Sequence, residues 1–192
     1  MVRKVAFSAL VLGVAGQRLW EVRKSRKHER ALKARGAREA APEQMPVMKA
    51  VHGAWLASML AETWLTDRKV PAGVTTAALV TFAGGQVLRA LAMRELGDRW
   101  TVKIMVLPET PPVSGGIFEH VRHPNYLGVI LEMAALPLIQ GNWVTALTFS
   151  IANGLLLQQR IRAEEEALQS VSDYQAELGA TPRFVPMARA ER

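Results

Sequence analysis

Residues 126–168 decide the fold of this chain. They read YLGVILEMAALPLI (126–139), QGN (140–142), WVTALTFSIANGLLL (143–157) and QQRIRAEEEAL (158–168). Two apolar runs flank a three-residue polar turn, which predicts an antiparallel helical hairpin. The second run continues without a break into a charged segment, so we expect one helix that leaves an apolar medium for water.

Three further apolar segments precede the hairpin, at residues 5–20, 47–65 and 73–93. A helix needs about 20 residues to cross roughly 30 Å of hydrocarbon. The chain is 49% hydrophobic and 21% charged, and the charges are concentrated between the apolar segments. This segregation is typical of membrane spans. We therefore predict an all-α integral membrane bundle of about five transmembrane helices.

One domain is expected over residues 1–192. Residues 1–93 would form the N-terminal spans and a basic connection, and residues 94–192 the cofactor-binding and catalytic half. Cysteine is absent from the sequence, which excludes disulfides and a cysteine nucleophile, and no metal site is expected. The apolar N-terminus has no clear small-residue cleavage site, so we interpret it as a retained span.

Positive charge predicts the orientation in the membrane. The formal net charge is +7, and Lys and Arg concentrate in residues 18–38, in residues 94–122 and in the C-terminal tail. Because basic loops stay in the cytoplasm, we expect five spans with the N-terminus outside, although Arg3 and Lys4 oppose this weakly. The third connection and the C-terminal helix then share the cytoplasmic face and can build one site. Basic residues beside apolar segments favour membrane lipids over nucleic acid as partners.

Residues 18–38 allow two interpretations. Leu19, Val22 and Leu32 among basic residues fit an amphipathic helix lying on the membrane, and a solvated connecting helix fits equally well. Within the second span, His52 and Glu62 are ionisable groups that are costly to bury. Both lie near span ends, so we expect them to reach the interface.

The start of the fourth helix is dense in hydrogen-bonding groups. His123, Pro124, Asn125 and Tyr126 follow turn signals at residues 111–112 and 115–116, and Pro124 suits the first helical position. The first amides of a helix are unpaired and carry partial positive charge, so they suit a carboxylate such as the methionine end of S-adenosylmethionine. The alternative is that Asn125 and Tyr126 only cap and anchor the helix.

The charged end of the fifth helix carries two pairs at a four-residue spacing, Arg160 with Glu164 and Arg162 with Glu166. Residues four apart share a helix face. Surface ion pairing is the alternative explanation. These pairs lie directly below a predicted span, on the same side of the membrane as the start of the fourth helix. This position favours a functional site.

Together these residues resemble the isoprenylcysteine carboxyl methyltransferase family and its phospholipid-methyltransferase relatives, in a bacterial subgroup. The first motif of that family is filled by Gly116, Phe118, Arg122, His123, Pro124 and Tyr126, and the second by Arg160, Glu164, Glu165 and Leu168. Tyr174 fits the tyrosine that follows in the family. The resemblance covers about the last half of the chain in detail.

The resemblance implies S-adenosylmethionine as cofactor, in a cytoplasmic cofactor pocket formed by the third connection and the C-terminal helix, and a location in the bacterial inner membrane. The residues expected to bind it are Lys103, Pro111, Pro112, Val113, Phe118, His123, Pro124, Asn125, Tyr126 and Glu164. The residues expected to be catalytic are Arg160, His123 and Glu165, where Arg160 would face an acidic acceptor and His123 or a nearby Glu would remove a proton. The repeat leaves Arg162 with Glu166 as an alternative register.

The predicted activity is O-methylation of a lipophilic substrate at the cytoplasmic face. The acceptor is the carboxylate of a prenylated cysteine or the hydroxyl of a long-chain phenolic or pyrone lipid. The alternative is an NADPH-dependent membrane reductase, since such proteins share Arg-His-Pro-Asn-Tyr, but a Glu usually follows their Gly and Val129 stands there. The acceptor and the oligomeric state stay open.

Overall fold

The computed structural model of the chain describes residues 1–185. Its α-helices are α1 (Val2–Ala34), α2 (Gln44–Leu65), α3 (Ala72–Leu96), α4 (Pro124–Leu138), α5 (Trp143–Gln169) and α6 (Tyr174–Leu178). Its strands are β1 (Arg38–Ala40) and β2 (Ile104–Val106), and single 3-10 turns occupy Gly97–Arg99 and Gly116–Glu119.

The five long helices stand where the five apolar segments predict them. Two of them, Val2–Ala34 and Ala72–Arg99, are long and apolar enough to cross a membrane by length and composition. Helix α4 begins at Pro124 as expected, and α5 runs unbroken from its apolar start into the charged segment. The hairpin prediction is confirmed, since α4 packs on α5.

The structure is mostly helical, as predicted, and it also contains a small antiparallel sheet that the sequence did not predict. Strand β1 pairs with β2 in the register Arg38 to Val106 and Ala40 to Ile104. Ile104 and Val106 are β-branched and buried, and such residues favour a pleated strand. The sheet joins the first connection to the third, and the Lys103 Nζ–Glu39 Oε2 ion pair at 2.7 Å reinforces it.

Residues 18–34 extend α1 as one helix of 33 residues, about 50 Å long at 1.5 Å per residue, so they form neither a separate amphipathic helix nor a separate connecting helix. No Pro or Gly interrupts them. This extension holds the third connection: the Val102 amide donates to Ser25 Oγ (2.8 Å), and His28 Nδ1 bonds the Trp100 carbonyl (2.7 Å).

The connections group at two ends of the bundle. At one end, Lys4 Nζ donates to the Thr66 carbonyl (2.8 Å) and Arg68 donates to the Gly141 carbonyl (2.9 Å), so the N-terminus, the second connection and the hairpin turn lie together. At the other end, the β1–β2 sheet brings the two strongly basic connections together. This is the alternation that the distribution of Lys and Arg predicts.

Glu62 has a structural role at the first of these ends. Its carboxylate accepts hydrogen bonds from the Thr145 amide and hydroxyl, both at 2.8 Å, and from the Val144 amide at 3.2 Å. These amides belong to the first turn of α5, whose donors lack partners within the helix. Glu62 therefore caps α5 from α2, and the Arg68 guanidinium at 2.7 Å balances its charge.

Helices α3 and α4 share the most extensive contact in the bundle. They approach closely because glycines face each other at the crossing. A Cβ at Gly128 would lie 2.7 Å from the Gly85 carbonyl oxygen and 2.4 Å from Arg89 Cγ. Small residues at helix crossings are typical of membrane bundles. The close approach brings the Arg89 guanidinium to Glu132, which is fully buried.

We predict that Gly128→Ala destabilises the folded protein, because the new methyl group overlaps backbone and side-chain atoms of α3. Overpacking of this kind costs about 1–3 kcal/mol. Thermal unfolding of the detergent-purified protein measures it. Gly84→Ala is the matched control, since its Cβ would meet nothing within 4 Å and Ala favours a helix over Gly by roughly 0.5–1 kcal/mol. Equal melting temperatures for the two variants would contradict the prediction.

Candidate active site

A cavity of about 500 Å³ lies between the third connection, helices α1–α4 and the end of α5. All the side chains predicted to bind a cofactor line it. They are Lys103, Pro111, Pro112, Val113, Phe118, His123, Pro124, Asn125, Tyr126 and Glu164. Arg160 lines it as well. Its volume falls in the range of about 300–1,000 Å³ that small-molecule sites occupy.

The start of α4 enters this cavity without a side-chain cap. His123 is the N-cap residue, and its ring stacks on Tyr126 with centroids 5.5 Å apart. The Oδ1 atom of Asn125 is buried and has no partner within residues 1–185. A buried acceptor without a partner is unfavourable, so Asn125 suits a bound group that donates a hydrogen bond. The prediction that Asn125 and Tyr126 merely cap α4 is wrong, since neither side chain does so.

A hydrogen-bonded chain joins α4 to α5 in the cavity wall. The Tyr126 hydroxyl donates to the Glu164 carboxylate, and Arg160 Nε donates to the same hydroxyl at 3.0 Å. The Arg160 guanidinium also donates to the Val102 carbonyl and lies 5.9 Å from the centre of the Tyr126 ring. Arg160 is buried, so its charge is felt in the cavity with little screening.

The two alternative registers of the charged motif differ in position. Arg160 and Glu164 line the cavity, whereas Arg162 and Glu166 are exposed and point elsewhere. The second pair is shifted by two residues from the first. Because each residue advances by about 100° around the helix axis, the two pairs face in different directions. The geometry therefore favours the register Arg160 with Glu164.

Glu165, expected to be catalytic, does not line this cavity. Its carboxylate accepts from His123 Nε2 at 3.0 Å and from Arg183 at 2.5 and 3.0 Å, and Arg122 lies 3.4 Å away. Burial would raise the pKa of Glu165, but the hydrogen bonds from His123 and Arg183 outweigh it and lower that pKa from 4.5 to about 2. Glu165 therefore orients His123 from outside the cavity.

The tail completes the wall beside α4. The Arg122 amide donates to the Pro182 carbonyl (2.9 Å), and the His123 amide donates to the Arg183 carbonyl (3.2 Å). Tyr174 also lines the cavity. Burial, together with the carboxylates of Glu165 and Glu164, raises the pKa of Tyr174 to about 12, so this phenol stays neutral at physiological pH.

The opposite end of the cavity contains charged residues that the motifs do not mark. Arg18, Glu21 and Arg89 line it. Arg89 donates to Glu21 at 2.6 Å and to Glu132 at 3.4 Å, and Arg18 contacts both carboxylates. We call these four residues, Arg18, Glu21, Arg89 and Glu132, the buried ion network. The sequence signal for this network is Arg89, which lies in the middle of an apolar segment, because an ionisable group in a span indicates function.

The cavity therefore has two chemically different ends. The end near α4 and α5 offers a helix N-terminus, an unpartnered amide oxygen and a carboxylate, beside the apolar surfaces of Pro112, Val113 and Phe118. These features fit a zwitterionic cofactor with a flat ring system. The other end is lined mainly by α1 and α2. Among residues 1–185, no cluster of three or more His, Cys, Asp or Glu could hold a metal ion.

Comparison with known proteins identifies the class of protein to which this chain belongs. The model of the isoprenylcysteine carboxyl methyltransferase family matches residues 77–170, which contain most of the cavity's polar end. The uncharacterized protein YpbQ of Bacillus subtilis is 34% identical over 166 residues, covering 86% of this chain and 98% of that protein. An uncharacterized protein of Haemophilus influenzae is 31% identical over 155 residues, covering 79% of this chain and 88% of that protein.

A eukaryotic enzyme matches a shorter part of the chain. The protein-S-isoprenylcysteine O-methyltransferase of Schizosaccharomyces pombe is 31% identical over 116 residues, covering 58% of this chain and 49% of that enzyme. The mostly helical fold, with two helices long and apolar enough to cross a membrane, fits a membrane helical protein. The chain belongs to the isoprenylcysteine carboxyl methyltransferase family. The comparisons give no support to the alternative of a nicotinamide-dependent reductase.

We predict that Glu165→Gln flattens the acid dependence of stability. A carboxyl with pKa 4.5 when unfolded and about 2 when folded contributes stability that is complete above pH 4.5 and is lost as the pH falls toward 2. Thermal unfolding across this window measures the slope for each variant. Glu166→Gln, on the exposed side of the same helix, is the control and should keep the wild-type slope. Identical slopes for all three proteins would show that the His123–Glu165–Arg183 contacts do not stabilise the fold.

Proposed function

We propose that the protein transfers the methyl group of S-adenosylmethionine to an oxygen atom of a lipophilic acceptor. The observation that carries the proposal is the convergence of ten side chains from the third connection, α4 and α5 on one cavity. The resemblance to the family implies a cofactor role for each of these residues. These residues come from separate segments of the chain, and they line the same cavity next to its end lined mainly by α1 and α2.

The chain's own residues suit the parts of the donor. The α4 N-terminus, with Asn125, would hold its charged methionine end. Glu164 lies beside Tyr126 and offers a carboxylate to ammonium or ribose hydroxyl groups. Pro112, Val113 and Phe118 provide an apolar surface for the adenine ring. Phe118 stands where a tyrosine is common in the family, so the ring contact is kept and the hydroxyl is lost.

S-adenosylmethionine supplies an electrophilic methyl group on a sulfonium centre. The protein then has to align an acceptor oxygen with that methyl group and exclude water, since proximity and orientation provide much of the rate enhancement. Arg160 is placed to contribute to both tasks. Its side chain is buried, fixed by Val102 and Tyr126, and offers positive charge to an oxygen that carries negative charge.

The acceptor reaches the site from the bilayer. The end lined mainly by α1 and α2, which we call the apolar end, carries Leu19, Met48, Trp55 and Leu56 beside the buried ion network. Leu19 is 64% exposed, and Gly53 is exposed in the same wall. The cavity thus opens laterally between α1 and α2, as a lipid tail requires. We further propose five transmembrane helices with the cavity's polar end in the cytoplasm, because the basic connections gather there.

The first test is calorimetric binding of S-adenosylhomocysteine and, separately, NADPH to the detergent-purified protein. We expect S-adenosylhomocysteine alone to bind. Glu164→Ala should weaken that binding about 10- to 100-fold, since a hydrogen bond to a charged group contributes about 1.5–3 kcal/mol. Glu166→Ala, which removes an exposed carboxylate two residues away, is the matched control. Binding of NADPH alone, or wild-type affinity in Glu164→Ala, would contradict the proposal.

A second prediction concerns the lateral opening. Gly53→Phe should lower methyl transfer to a long-chain alkylphenol or to N-acetyl-S-farnesylcysteine by about tenfold or more, equivalent to about 1.4 kcal/mol, with unchanged affinity for S-adenosylhomocysteine. A Cβ at Gly53 meets nothing within 4 Å, so the ring obstructs the opening without disturbing the fold. Gly13→Phe, also unobstructed but outside the cavity wall, serves as control. Equal rates in both variants would place the entrance elsewhere.

A further inference from the structure

His52 is a cavity residue for which the donor site has no use. It lies on the face of α2 that also presents Met45, Lys49 and Trp55 to the cavity, at helical spacings of three and four residues. Met45 touches the Arg160 guanidinium at 4.0 Å. His52 is two turns further along this face, so it lies between Arg160 and the apolar end of the cavity.

The hydrogen bond made by His52 fixes its proton. Its Nδ1 atom lies 2.9 Å from the Met48 carbonyl. A carbonyl can only accept, so Nδ1 carries the hydrogen and donates it. In a neutral ring the Nε2 atom then holds a lone pair. Within residues 1–185 no group bonds to Nε2, although the ring lines the cavity. His52 therefore offers an acceptor nitrogen without a partner among the residues that line the cavity.

The charged groups around the ring favour an anionic oxygen near it. Arg18 on α1, Arg89 on α3 and Arg160 on α5 line the same cavity as His52. Lys49 on α2 and Glu21 on α1 line it as well, and Glu21 is already bonded to Arg18 and Arg89. Cations in the cavity stabilise an oxyanion there.

We propose that His52 is the general base for methyl transfer to a neutral phenolic or enolic hydroxyl, which is one of the two acceptor classes that the sequence predicts. The inference rests on the proposed function and assigns the proton acceptor at its site. As the acceptor oxygen forms its bond to the methyl carbon, the carbon–sulfur bond breaks and its electron pair stays on sulfur, giving a neutral thioether. The hydroxyl proton passes to Nε2 of His52, and the imidazolium later releases it to water.

A carboxylate acceptor needs no general base, so His52 would have no catalytic role with it. The carboxylate of a prenylated cysteine is ionised at neutral pH and can attack without losing a proton. His123, the other imidazole in the cavity wall, lies at the donor end, where it bonds Glu165 and stacks on Tyr126. His52 lies at the end that receives the lipid, within reach of its polar head.

The first experiment measures ionisation without turnover. A long-chain nitrophenol is bound to the protein at a pH below the probe's own pKa, where the free probe is mostly protonated, and its phenolate absorbance is recorded. We expect the wild type to bind the probe as phenolate. His52→Asn keeps a donor for the Met48 carbonyl and lacks the basic nitrogen, so its bound probe should titrate near the free value. His120→Asn, an exposed histidine outside the cavity, should match the wild type.

Equal ionisation in wild type and His52→Asn would overturn the proposal. Loss of ionisation only on replacing His123 would assign the base to that residue and would also overturn it. This measurement needs no methyl donor, so its failure is separate from a failure to bind S-adenosylhomocysteine, which would refute the methyltransferase itself.

The second experiment measures methyl transfer. His52→Ala should lower transfer to a long-chain alkylphenol about 100-fold or more, since general base catalysis contributes about 10²–10⁴-fold, with unchanged affinity for S-adenosylhomocysteine. Added imidazole should restore part of the rate, which a merely structural role would not allow. Wild-type protein that binds S-adenosylhomocysteine but methylates only N-acetyl-S-farnesylcysteine would overturn the proposed acceptor class.

Discussion

The buried ion network is the constraint on which the rest of the bundle depends. Two guanidinium groups and two carboxylates from α1, α3 and α4 balance one another, and three of the four side chains are at most 4% exposed. Removing one partner of a buried pair costs about 3–5 kcal/mol, because the remaining charge is left uncompensated. The network therefore fixes the rotation of α1, α3 and α4 about their own axes. It also aligns the walls of the cavity, since Arg18 and Arg89 are members of the network and line the cavity as well.

Two further devices hold the cavity's polar end. The extension of α1 supports the third connection through Ser25 and His28, and the β1–β2 pairing adds a second attachment. The tail then covers the start of α4 through main-chain bonds to residues 122 and 123. A long irregular connection is usually mobile. Here it is fixed from three sides, which suits a site that must align two bound molecules.

The sequence predicted the helices because long apolar runs and clear breakers determine them locally. It did not predict β1 and β2, since each has three residues and their pairing depends on contact across the chain. The sequence does not single out Arg89 as a site residue, because one charged residue hardly alters the mean hydropathy of an apolar segment. The placement of Glu165 outside the cavity required the rotational phase of α5, which a motif of neighbouring Arg and Glu residues does not contain. The residues that line the polar end were found because the motif specifies residue types at fixed separations.

The tail's contact with α4 has a consequence for biosynthesis. Residues 182 and 183 pair with residues 122 and 123, so the cavity wall beside α4 contains chain that leaves the ribosome after α1–α5. This wall of the cavity is therefore the last part to be synthesised.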